Sequence, residues 1–407
     1  MINGVFRSLW PTVELGEVIE TTKLGLVRGS ADIKPDHPHP YLRMDAIATD
    51  GSLSLNPIKR VDASEEELAK YSLAPGDFLF NTRNSKDLVG KTAVFPSTEE
   101  LHLFNNNIMR IRFKNIVCPR FMLHLFHTRP VTDQLEACKS GTTSVFAIYF
   151  KDLSRITLPL PPLPEQRRIA AILDKAVAIR QKREEGIRLT EELLRSVFLE
   201  MFGDPVNNEK IWPMVQVKDA GHVQLGRQRA PKYQSGKHTH PYLRVANVFE
   251  DRIDLTSVLS MDFDPADFAT YRLAQGDILL NEGQSTELVG RPAMWRDELP
   301  ECCFQNTLIR FRAYPDTMEP EFALEVFLYY LRKGQFARQS SKTSSVAHLG
   351  AGRFAEMPVP LPPLKRQTQF ATKRRRIHTL HQKRHAQVQA ANELFGSLVQ
   401  RAFQGEL

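Results

Sequence analysis

Short apolar runs dominate the beginning of the chain. Stretches such as DFLF, TAVF, IMRIRF and ITLPL are separated by Gly, Pro, Asn and Ser, a pattern typical of short strands joined by turns. The segment FMLHLF, shortly after Pro119, instead indicates one helix. This alternation predicts a mixed α/β globule of about 150 residues.

A long helix is predicted after the segment PLPPLPEQ. Proline is tolerated in the first helical turn, so Pro164 followed by Glu165 is a suitable start, with the carboxylate near the positive end of the helix dipole. From there to Met201 the sequence has no further proline and one glycine, Gly186. A run of about 37 residues corresponds to roughly 55 Å of helix. Apolar residues at helical spacing form one stripe: Ile169, Ile172, Ala176, Ile179, Ile187, Leu194, Val197 and Met201.

The whole pattern occurs twice. LPLPPLPEQRRIAAIL begins at Leu158 and VPLPPLKRQTQFATKR at Val359, which is 359 − 158 = 201 residues later. In nearly the same register HPYLRMDAI matches HPYLRVANV, YSLAPGDFLFN matches YRLAQGDILLN, and SGTTSV matches SKTSSV. A period of this size is far longer than that of solenoid repeats, so each copy must be a domain followed by a helix. We therefore predict an α/β (α+β) fold with two mixed α/β domains related by a pseudo-twofold axis.

A helix with a single apolar stripe needs a surface to cover that stripe. Each half supplies one such helix, so we expect the two helices to pair antiparallel as an intramolecular coiled coil. The alternative is that each helix packs only on its own globule. Arg183 and Arg384 are polar at equivalent positions of the stripe, where they would either fix the register or line a partner surface.

Composition adds a preference for a polyanionic partner. The formal charge is 54 − 47 = +7 and the isoelectric point is near 9.2, which favours nucleic acid. No segment approaches the roughly 18 apolar residues of a membrane span, and no secretory signal is visible, so we expect a cytoplasmic protein without a membrane partner. Four cysteines without CxxC spacing are expected to be reduced thiols: Cys118, Cys138, Cys302 and Cys303.

Catalytic motifs are not found in the sequence. GKT at Gly90 lacks the glycine-rich turn of a P-loop, and GxGxxG, HExxH and GxSxG do not occur. Every Pro-Pro is followed by leucine, so the Asn/Asp-Pro-Pro-aromatic tetrapeptide of adenine methylation is missing. Four histidines flank proline-rich turns, where a solvated or capping role is favoured over metal binding: His37, His39, His238 and His240. We expect a chain that binds without catalysing and has no cofactor or metal of its own.

These features together resemble the specificity subunit of a type I restriction-modification system. The resemblance is carried by PLPPLPEQRRIAAIL, GDFLFNTR and SGTTS, with counterparts in the same order in the second half. It implies a first target-recognition domain at 1–157, a spacer helix at 158–203, a second recognition domain at 204–358 and a second spacer helix at 359–407. The second copy departs from the family pattern, because Lys365, Arg366 and Gln367 stand where a Glu-Gln pair is usual. Positive charge opposes the dipole at a helix start, so this helix is expected to begin later or to bind its partner differently.

The resemblance also implies partners. Each recognition domain would read one half of an asymmetric bipartite site in double-stranded DNA, and the helices would dock two methyltransferase subunits, which would bind S-adenosylmethionine. Whether restriction subunits join stays open. The alternative is a non-catalytic coiled-coil scaffold whose two globules bind protein; a self-contained restriction enzyme would need motifs that are missing.

Loop residues are the candidates for DNA contact, because Arg and Lys suit guanine, Asn and Gln suit adenine, and Ser and Thr suit either. In the first domain they are Arg43, Arg83, Asn84, Ser85, Lys86 and Lys91, with Lys139 and Thr142 assigned to phosphates. In the second they are Arg244, Gln284, Ser285, Thr286 and Thr343, with Arg291 and Lys342 assigned to the backbone. For Arg43 and Arg244 an ion pair within the fold is an equal alternative, and the loops could simply connect strands. The cluster from Lys373 to Arg376 is expected to be a solvated helix face or a subunit contact.

Overall fold

The chain folds into two compact units. In this computed structural model, residues 10–56, 59–141, 143–229, 235–342 and 346–407 are described. The first unit comprises Met1–Glu184 and Ala386–Leu407, and the second comprises Glu185–His385.

The first unit is built from short strands and short helices, as the alternating sequence pattern predicts. Its described strands are β1 (Thr12–Glu14), β2 (Ile19–Leu24), β3 (His39–Leu42), β4 (Lys59–Val61), β5 (Phe78–Asn81), β6 (Arg83–Asn84), β7 (Thr92–Val94), β8 (Leu103–Phe104), β9 (Ile108–Phe113), β10 (Ser140–Gly141), β11 (Phe146–Ala147) and β12 (Thr157–Pro159). Its described short helices are α1 (Leu15–Val18), α2 (Glu65–Tyr71), α3 (Pro119–Phe126), α4 (Arg129–Ala137) and α5 (Phe150–Leu153).

A four-stranded sheet in the order β2-β9-β5-β7 forms the centre of this unit. All residues of β5 are buried, and its alternating side chains enter two different cores. Phe78 and Phe80 point toward α3, where their rings lie 5.2 and 6.3 Å from that of Phe126, while Leu79 joins a separate apolar cluster. Burial on both faces explains why the sequence DFLF is a continuous apolar run. Sheets β4-β3-β8 and β10-β11-β6 and the pair β1-β12 complete the unit.

The second unit repeats this arrangement. Its described strands are β13 (Met214–Gln216), β14 (Gly221–Leu225), β15 (Thr239–Leu243), β16 (Val248–Phe249), β17 (Arg252–Ile253), β18 (Leu259–Asp262), β19 (Ile278–Asn281), β20 (Gly283–Gln284), β21 (Pro292–Met294), β22 (Cys303–Phe304), β23 (Leu308–Ala313), β24 (Ser341–Lys342), β25 (Ala347–His348) and β26 (Pro358–Pro360). Its described short helices are α7 (Val217–Ala220), α8 (Pro265–Tyr271), α9 (Pro320–Arg332), α10 (Gln335–Gln339) and α11 (Ala351–Ala355). The sheets β14-β23-β19-β21, β18-β15-β22 and β20-β25-β24 correspond to those of the first unit, and β16 and β17 form an additional hairpin.

Two long helices follow the edge strands β12 and β26, namely α6 (Leu163–Phe202) and α12 (Leu364–Gln404). Because Leu364 is the equivalent of Leu163, the expectation that the second helix begins later is wrong. A shared glutamine explains the equal starts. Gln166 is fully buried; its Oε1 accepts from the Cys118 amide at 2.8 Å and its Nε2 donates to the carbonyls of Ile116 and Pro161 at 2.9 and 2.8 Å.

Gln367 makes the same three bonds in the second unit. Its Oε1 accepts from the Glu319 amide at 2.9 Å, and its Nε2 donates to the carbonyls of Thr317 and Pro362 at 3.2 and 2.8 Å. The side chain is likewise fully buried. The first turn of each helix is therefore fixed by an amide that bonds to the main chain of its globule, and the charges of Lys365 and Arg366 do not delay the start.

The helices run antiparallel within each unit, which confirms the predicted pairing. In the first unit Arg183 donates to the Gln387 carbonyl at 2.7 Å, and Arg168 donates to the Leu407 carbonyl at 2.5 Å. In the second unit His381 lies 3.1 Å from Glu191. As the residue number rises along one helix, that of its partner falls.

The end of each long helix enters a hydrophobic core. Phe198 and Phe202 are buried with Phe322 and Phe370 in the second unit, and Phe403 is buried in the first.

The predicted stripe is correct at Ile169, which is fully buried. It is wrong at Ile179, which is 42% exposed like its equivalent Leu380.

All four cysteines are free, as expected. Burial raises the pKa of Cys302 and of Cys303 to about 12. Both thiols therefore stay protonated near neutral pH and act as small apolar side chains of the core.

Candidate nucleic-acid interface

A small three-stranded sheet collects several predicted contact residues of the first unit. Strand β6 pairs antiparallel with β11, with Arg83 opposite Ala147 and Asn84 opposite Phe146. Strand β11 pairs in turn with β10, with Ser140 opposite Ala147. The sheet brings the loop that follows Asn81 beside the segment that contains Ser140, although they are far apart in sequence.

Asn81 at the end of β5 organises this loop. Its side chain is fully buried; Nδ2 donates to the carbonyls of Arg83 and Asn107 at 3.2 and 2.9 Å, and Oδ1 accepts from Asn84 Nδ2 at 2.9 Å. A buried amide with all these bonds makes the loop conformation rigid. Asn81 thus links the start of the loop, at Arg83 and Asn84, to the neighbouring Asn107.

The loop side chains differ in how free they are. Asn84 uses its amide nitrogen on Asn81 and its amide oxygen on the Ser85 main-chain nitrogen, 2.9 Å away. Its amide is therefore occupied and would have to rearrange before reading adenine. Lys86 is an exposed partner of Glu136 at 3.8 Å. Among the residues that the structure describes, the exposed Arg83 side chain has no hydrogen-bond or ion-pair partner.

Lys139 supports the loop from the neighbouring segment. Its ammonium donates to the Lys86 carbonyl at 2.7 Å and lies 2.6 Å from a Glu136 carboxylate oxygen. The hydrogen bond from Lys139 lowers the pKa of Glu136. Lys139 therefore lies next to the predicted loop, but its charge is already paired. Thr142 lies outside the described residues.

Arg43 and Lys91 lie apart from the sheet. The Lys91 ammonium donates to the Met44 carbonyl at 2.9 Å and also to that of Ile47, and burial lowers its pKa. Arg43 is half-buried, with its Nε 3.8 Å from Asp45. Lys91 thus ties the turn after Arg43 to the end of the loop, which is an internal structural contact.

The second unit has the same small sheet with different side chains. Strand β20 pairs with β25, with Gly283 opposite His348 and Gln284 opposite Ala347. Gly283 therefore occupies the position of Arg83, and His348 Nδ1 lies 3.1 Å from Glu282 Oε2. The Gln284 Oε1 accepts from the Ser285 amide at 3.2 Å. This sheet presents an acid, an imidazole and an amide where the first presents a guanidinium.

The remaining candidates of the second unit lie in three different settings. Thr286 is half-buried and lines a shallow apolar pocket with Leu288 and Leu331. The guanidinium of Arg291 lies 4.7 Å from the centre of the Phe249 ring, and burial lowers its pKa. Arg244 is half-buried and precedes a 3₁₀ turn at Val245–Asn247. Neither arginine joins the small sheet.

Two further predicted residues lie at the third strand of this sheet. Lys342 belongs to β24, opposite Ala347, and only its main chain is described. Thr343 lies outside the described residues. The Arg353 guanidinium donates to the Ser341 Oγ at 2.9 Å and to the His348 carbonyl at 2.7 Å, so a cation that the sequence did not single out supports this edge.

Comparison with known proteins finds one family that matches the first part of the chain. The family described as "Type I restriction modification DNA specificity domain" matches residues 7–189. The chain is 25% identical over 234 residues to a putative type I restriction enzyme MjaX specificity subunit of Methanocaldococcus jannaschii, covering 56% of this chain and 54% of the relative. It is 24% identical over 185 residues to the type I restriction enzyme EcoKI specificity subunit of Escherichia coli, covering 43% of this chain and 40% of the relative. Residues 7–189 thus match a type I specificity family, and both curated relatives are type I specificity subunits.

The chain spans about half the length of those curated relatives. Its whole fold resembles two solved structures. The S subunit of a type I restriction-modification system from M. genitalium superposes with a TM-score of 0.63 at 12% identity, over 99% of both chains. A chain from a study of complex assembly and conformational transition of the type I R-M system superposes with a TM-score of 0.52 at 20% identity, over 98% of both chains.

Sequence reasoning missed three exposed side chains beside the small sheet of the first unit. Val145 and Tyr149 are each 54% exposed and Phe150 is 43% exposed, immediately before and after β11. Their equivalents in the second unit are Val346, Gly350 and Ala351. The two aromatic residues could have been found by comparing the copies, because a recognition surface is where two copies of one domain should differ.

The described residues of the chain include no group of three or more His, Cys, Asp or Glu arranged to bind a metal ion. Within the same ranges, no helix is both long and apolar enough to cross a bilayer.

Proposed function

We propose that this chain is a specificity subunit that directs a methyltransferase complex to a bipartite DNA site, with one part read by each unit. The observation that carries this proposal is the repeated small sheet. In both copies a buried asparagine, Asn81 or Asn281, ends the central strand and precedes the exposed loop, while the side chains presented by the loop differ. A backbone arrangement that is the same in both copies, with exposed side chains that differ, is suited to reading different DNA sequences.

The first sheet is suited to a guanine. A guanidinium can donate two hydrogen bonds to guanine O6 and N7 in the major groove, and Arg83 is the exposed, unpaired guanidinium of this sheet. The neighbouring Val145 and Tyr149 offer apolar contact for a thymine methyl group or for stacking. The ion-paired Lys86 and Lys139 are better suited to phosphates than to bases.

The second sheet is suited to a different base pattern. Glu282 can accept from the exocyclic amine of cytosine, and the free amide nitrogen of Gln284 can donate to a base acceptor. Since Gly283 provides no side chain at the position of Arg83, the two parts of the DNA site should differ in sequence. This asymmetry fits the asymmetric bipartite site that the family resemblance implies.

The long helices are the proposed docking surface for two methyltransferase subunits, which would bind S-adenosylmethionine. Large apolar side chains on these helices are 42 to 60% exposed: Ile179, Leu189, Leu193, Leu380 and Leu394. Apolar residues that a monomer leaves exposed are typical of a partner surface. We propose that the chain itself transfers no methyl group and acts only through recognition and assembly.

The test is selection from a random duplex library by the chain together with its methyltransferase subunits, at about 0.1 M and 0.2 M salt. The proposal predicts enrichment of two short conserved blocks separated by unconserved base pairs, and an affinity that falls steeply with salt. Sequence-independent retention of the library, or no retention, would support the scaffold alternative. Methyl transfer by the purified chain alone would contradict its non-catalytic role.

A further inference from the structure

Ion pairs fasten each globule to the long helix that follows it. In the first unit Asp174 on α6 receives Arg120 Nε at 3.0 Å and Arg120 Nη2 at 2.5 Å. His124 Nε2 lies 2.7 Å from the same carboxylate. Burial opposes ionisation of Asp174, but the bonds to His124 and Arg120 outweigh it and lower the pKa. In this unit the helix supplies the acid, and α3 of the globule supplies the bases.

In the second unit the helix supplies the base. Arg374 on α12 is fully buried, its Nη2 lies 2.7 Å from Asp251 and its Nε lies 3.3 Å from Glu325. Its Nη1 also donates to Glu321. Burial opposes the charge, but the three carboxylates outweigh it and raise the pKa of Arg374. The expectation that residues 373–376 form only a solvated face or a subunit contact is therefore wrong for Arg374.

We call these two ion-pair clusters clamps: Asp174 with Arg120 and His124 in the first unit, and Arg374 with its three carboxylates in the second. They occupy equivalent positions of the two copies and carry opposite charges. The offset of 201 residues aligns Arg120 with Glu321 and His124 with Glu325 on the globule side. On the helix side it aligns the fully buried Leu173 with Arg374, and Asp174 with Arg375. At these four positions a charge in one clamp therefore corresponds to the opposite charge, or to an apolar residue, in the other, whereas Asp251 aligns with another acid, Asp50.

We infer that these clamps make each globule specific for its own helix. We call them electrostatic keys, because their charges match only between a globule and the helix that follows it. A copy of the first globule placed on α12 would set Arg120 and His124 against the buried Arg374, and of the three acids of the second clamp only the Asp251 position would keep an acid, Asp50. A copy of the second globule placed on α6 would set Glu321 and Glu325 against Asp174, with Leu173 in place of the arginine. In the first mismatch the bases outnumber the acids, and in the second Glu321 and Glu325 keep only the longer contacts to Arg296 and Arg332 of their own globule, at 3.8 and 3.6 Å. Charge that is removed from water without full compensation is destabilising.

The charges are needed for this selectivity because the buried glutamine, which also joins each helix to its globule, does not distinguish one globule from the other. Gln166 and Gln367 make the same three main-chain bonds in the two units. Either glutamine would accept either globule, since only backbone atoms are contacted. The keys therefore determine which recognition domain packs stably on which helix. This inference rests on the fold and does not require DNA binding.

The test is a full-length chimera in which residues 12–157 are duplicated in place of residues 214–358. We expect its melting temperature to be lower than that of the parent by roughly 10 °C. Adding Arg374→Leu and Arg375→Asp, which rebuild the first key on α12, should recover at least half of that loss. The same two substitutions in the parent should destabilise it, because they leave Asp251, Glu321 and Glu325 without their arginine. A chimera as stable as the parent, or one that the two substitutions do not improve, would overturn the inference.

A charge inversion in the unaltered chain provides a second test that does not depend on folding of a chimera. Arg120→Glu and Asp174→Arg should each lower the melting temperature by roughly 3–5 °C, and the double variant should recover most of the combined loss. Arg129, an exposed arginine 3.9 Å from Asp133 on α4 of the same globule, provides the control, because Arg129→Glu should have little effect. Additive losses in the double variant would mean that the charges do not act as a matched pair.

Discussion

Arg384 donates a hydrogen bond to the main-chain carbonyl of Gly186 on the opposite helix. A methyl group on residue 186 would lie only 2.8 Å from the same guanidinium nitrogen, so the glycine leaves room for this contact. Arg183 makes the equivalent bond, at 2.7 Å, to the carbonyl of Gln387. Residue 387 corresponds to residue 186 by the offset of 201. Both polar positions of the predicted stripe therefore bond to the backbone of the opposite helix.

These bonds predict that the two arginines fix the register of the helix pair at some cost in stability. The double variant Arg183→Leu/Arg384→Leu should melt no lower than the parent but should form additional oligomers, because an apolar seam tolerates other pairings. Light scattering coupled to gel filtration measures this. Arg188→Leu is the control, since Arg188 pairs with Glu185 and Glu192 of its own helix. A double variant that melts lower and shows the parent's oligomeric state would contradict the prediction.

The buried glutamines should matter for stability out of proportion to their size. Gln166→Met removes one amide that satisfies the Cys118 amide and two carbonyls, leaving buried polar atoms without partners. We expect a loss of about 2–4 kcal/mol in the free energy of unfolding, measured by denaturant titration. Gln181→Met, at an exposed position of the same helix, should change it by less than about 0.5 kcal/mol. Equal effects of the two substitutions would refute the anchoring role.

Arg83 should contribute specificity at one base pair of the proposed site. Arg83→Ala in the methyltransferase complex should weaken binding by about 1–3 kcal/mol and relax discrimination at a single position. The part of the site that the other unit reads should stay unchanged. Competition binding with single-base variants of the selected site measures both effects, and Arg129→Ala serves as an exposed-arginine control. A uniform loss over all sequences would instead assign Arg83 to a phosphate.

The exposed leucines of the long helices should govern assembly. Leu189 and Leu193 are each 50% exposed, one turn apart on α6. Leu189→Glu/Leu193→Glu should weaken association with the methyltransferase subunit by at least about tenfold, because two desolvated side chains contribute roughly 1.5 kcal/mol or more. Thermal unfolding of the isolated chain should be nearly unchanged. Titration calorimetry measures the association, and an unchanged affinity would place the docking surface elsewhere.

His378 should make the second unit sensitive to mild acid. Burial, together with the Arg296 guanidinium, lowers the pKa of His378 below its ordinary value of 6.5, although Asp251 partly opposes the change. Below pH 6.5 the unfolded chain therefore binds more protons than the folded chain, so the free energy of unfolding falls as the pH falls. His378→Val, which introduces the first copy's residue Val177, should reduce this dependence between pH 7.5 and 5.5. Identical pH profiles for parent and variant would show that His378 does not contribute.

Local sequence patterns were sufficient to predict strands and helices of this fold and the pairing of its two long helices. The run DFLF and the stripe that begins at Ile169 report burial directly, because period and apolar character depend only on neighbouring residues. The internal duplication supplied the domain organisation, since the pattern of one copy could be checked against that of the other. The antiparallel helix pair followed from the need to cover two equivalent stripes.

The site was less predictable because its chemistry depends on residues that are distant in sequence. Arg374 stands in a run of cations that suggests solvent exposure, yet one of its partners, Asp251, is 123 residues away. Whether the amide of Asn84 is free depends on Asn81, and whether Lys91 can reach a ligand depends on the Met44 carbonyl. Residue type and loop position identify such candidates, but the hydrogen bonds that occupy them arise only from the tertiary fold.

The most direct test of the central claim is to map modified bases in the genome of cells that express this chain together with its methyltransferase subunits. The account predicts methylation at a single two-part motif with an unread gap, and it predicts that Arg83→Ala degrades one part while Gln284→Ala degrades the other. Methylation at an uninterrupted motif, or both substitutions acting on the same part, would contradict it.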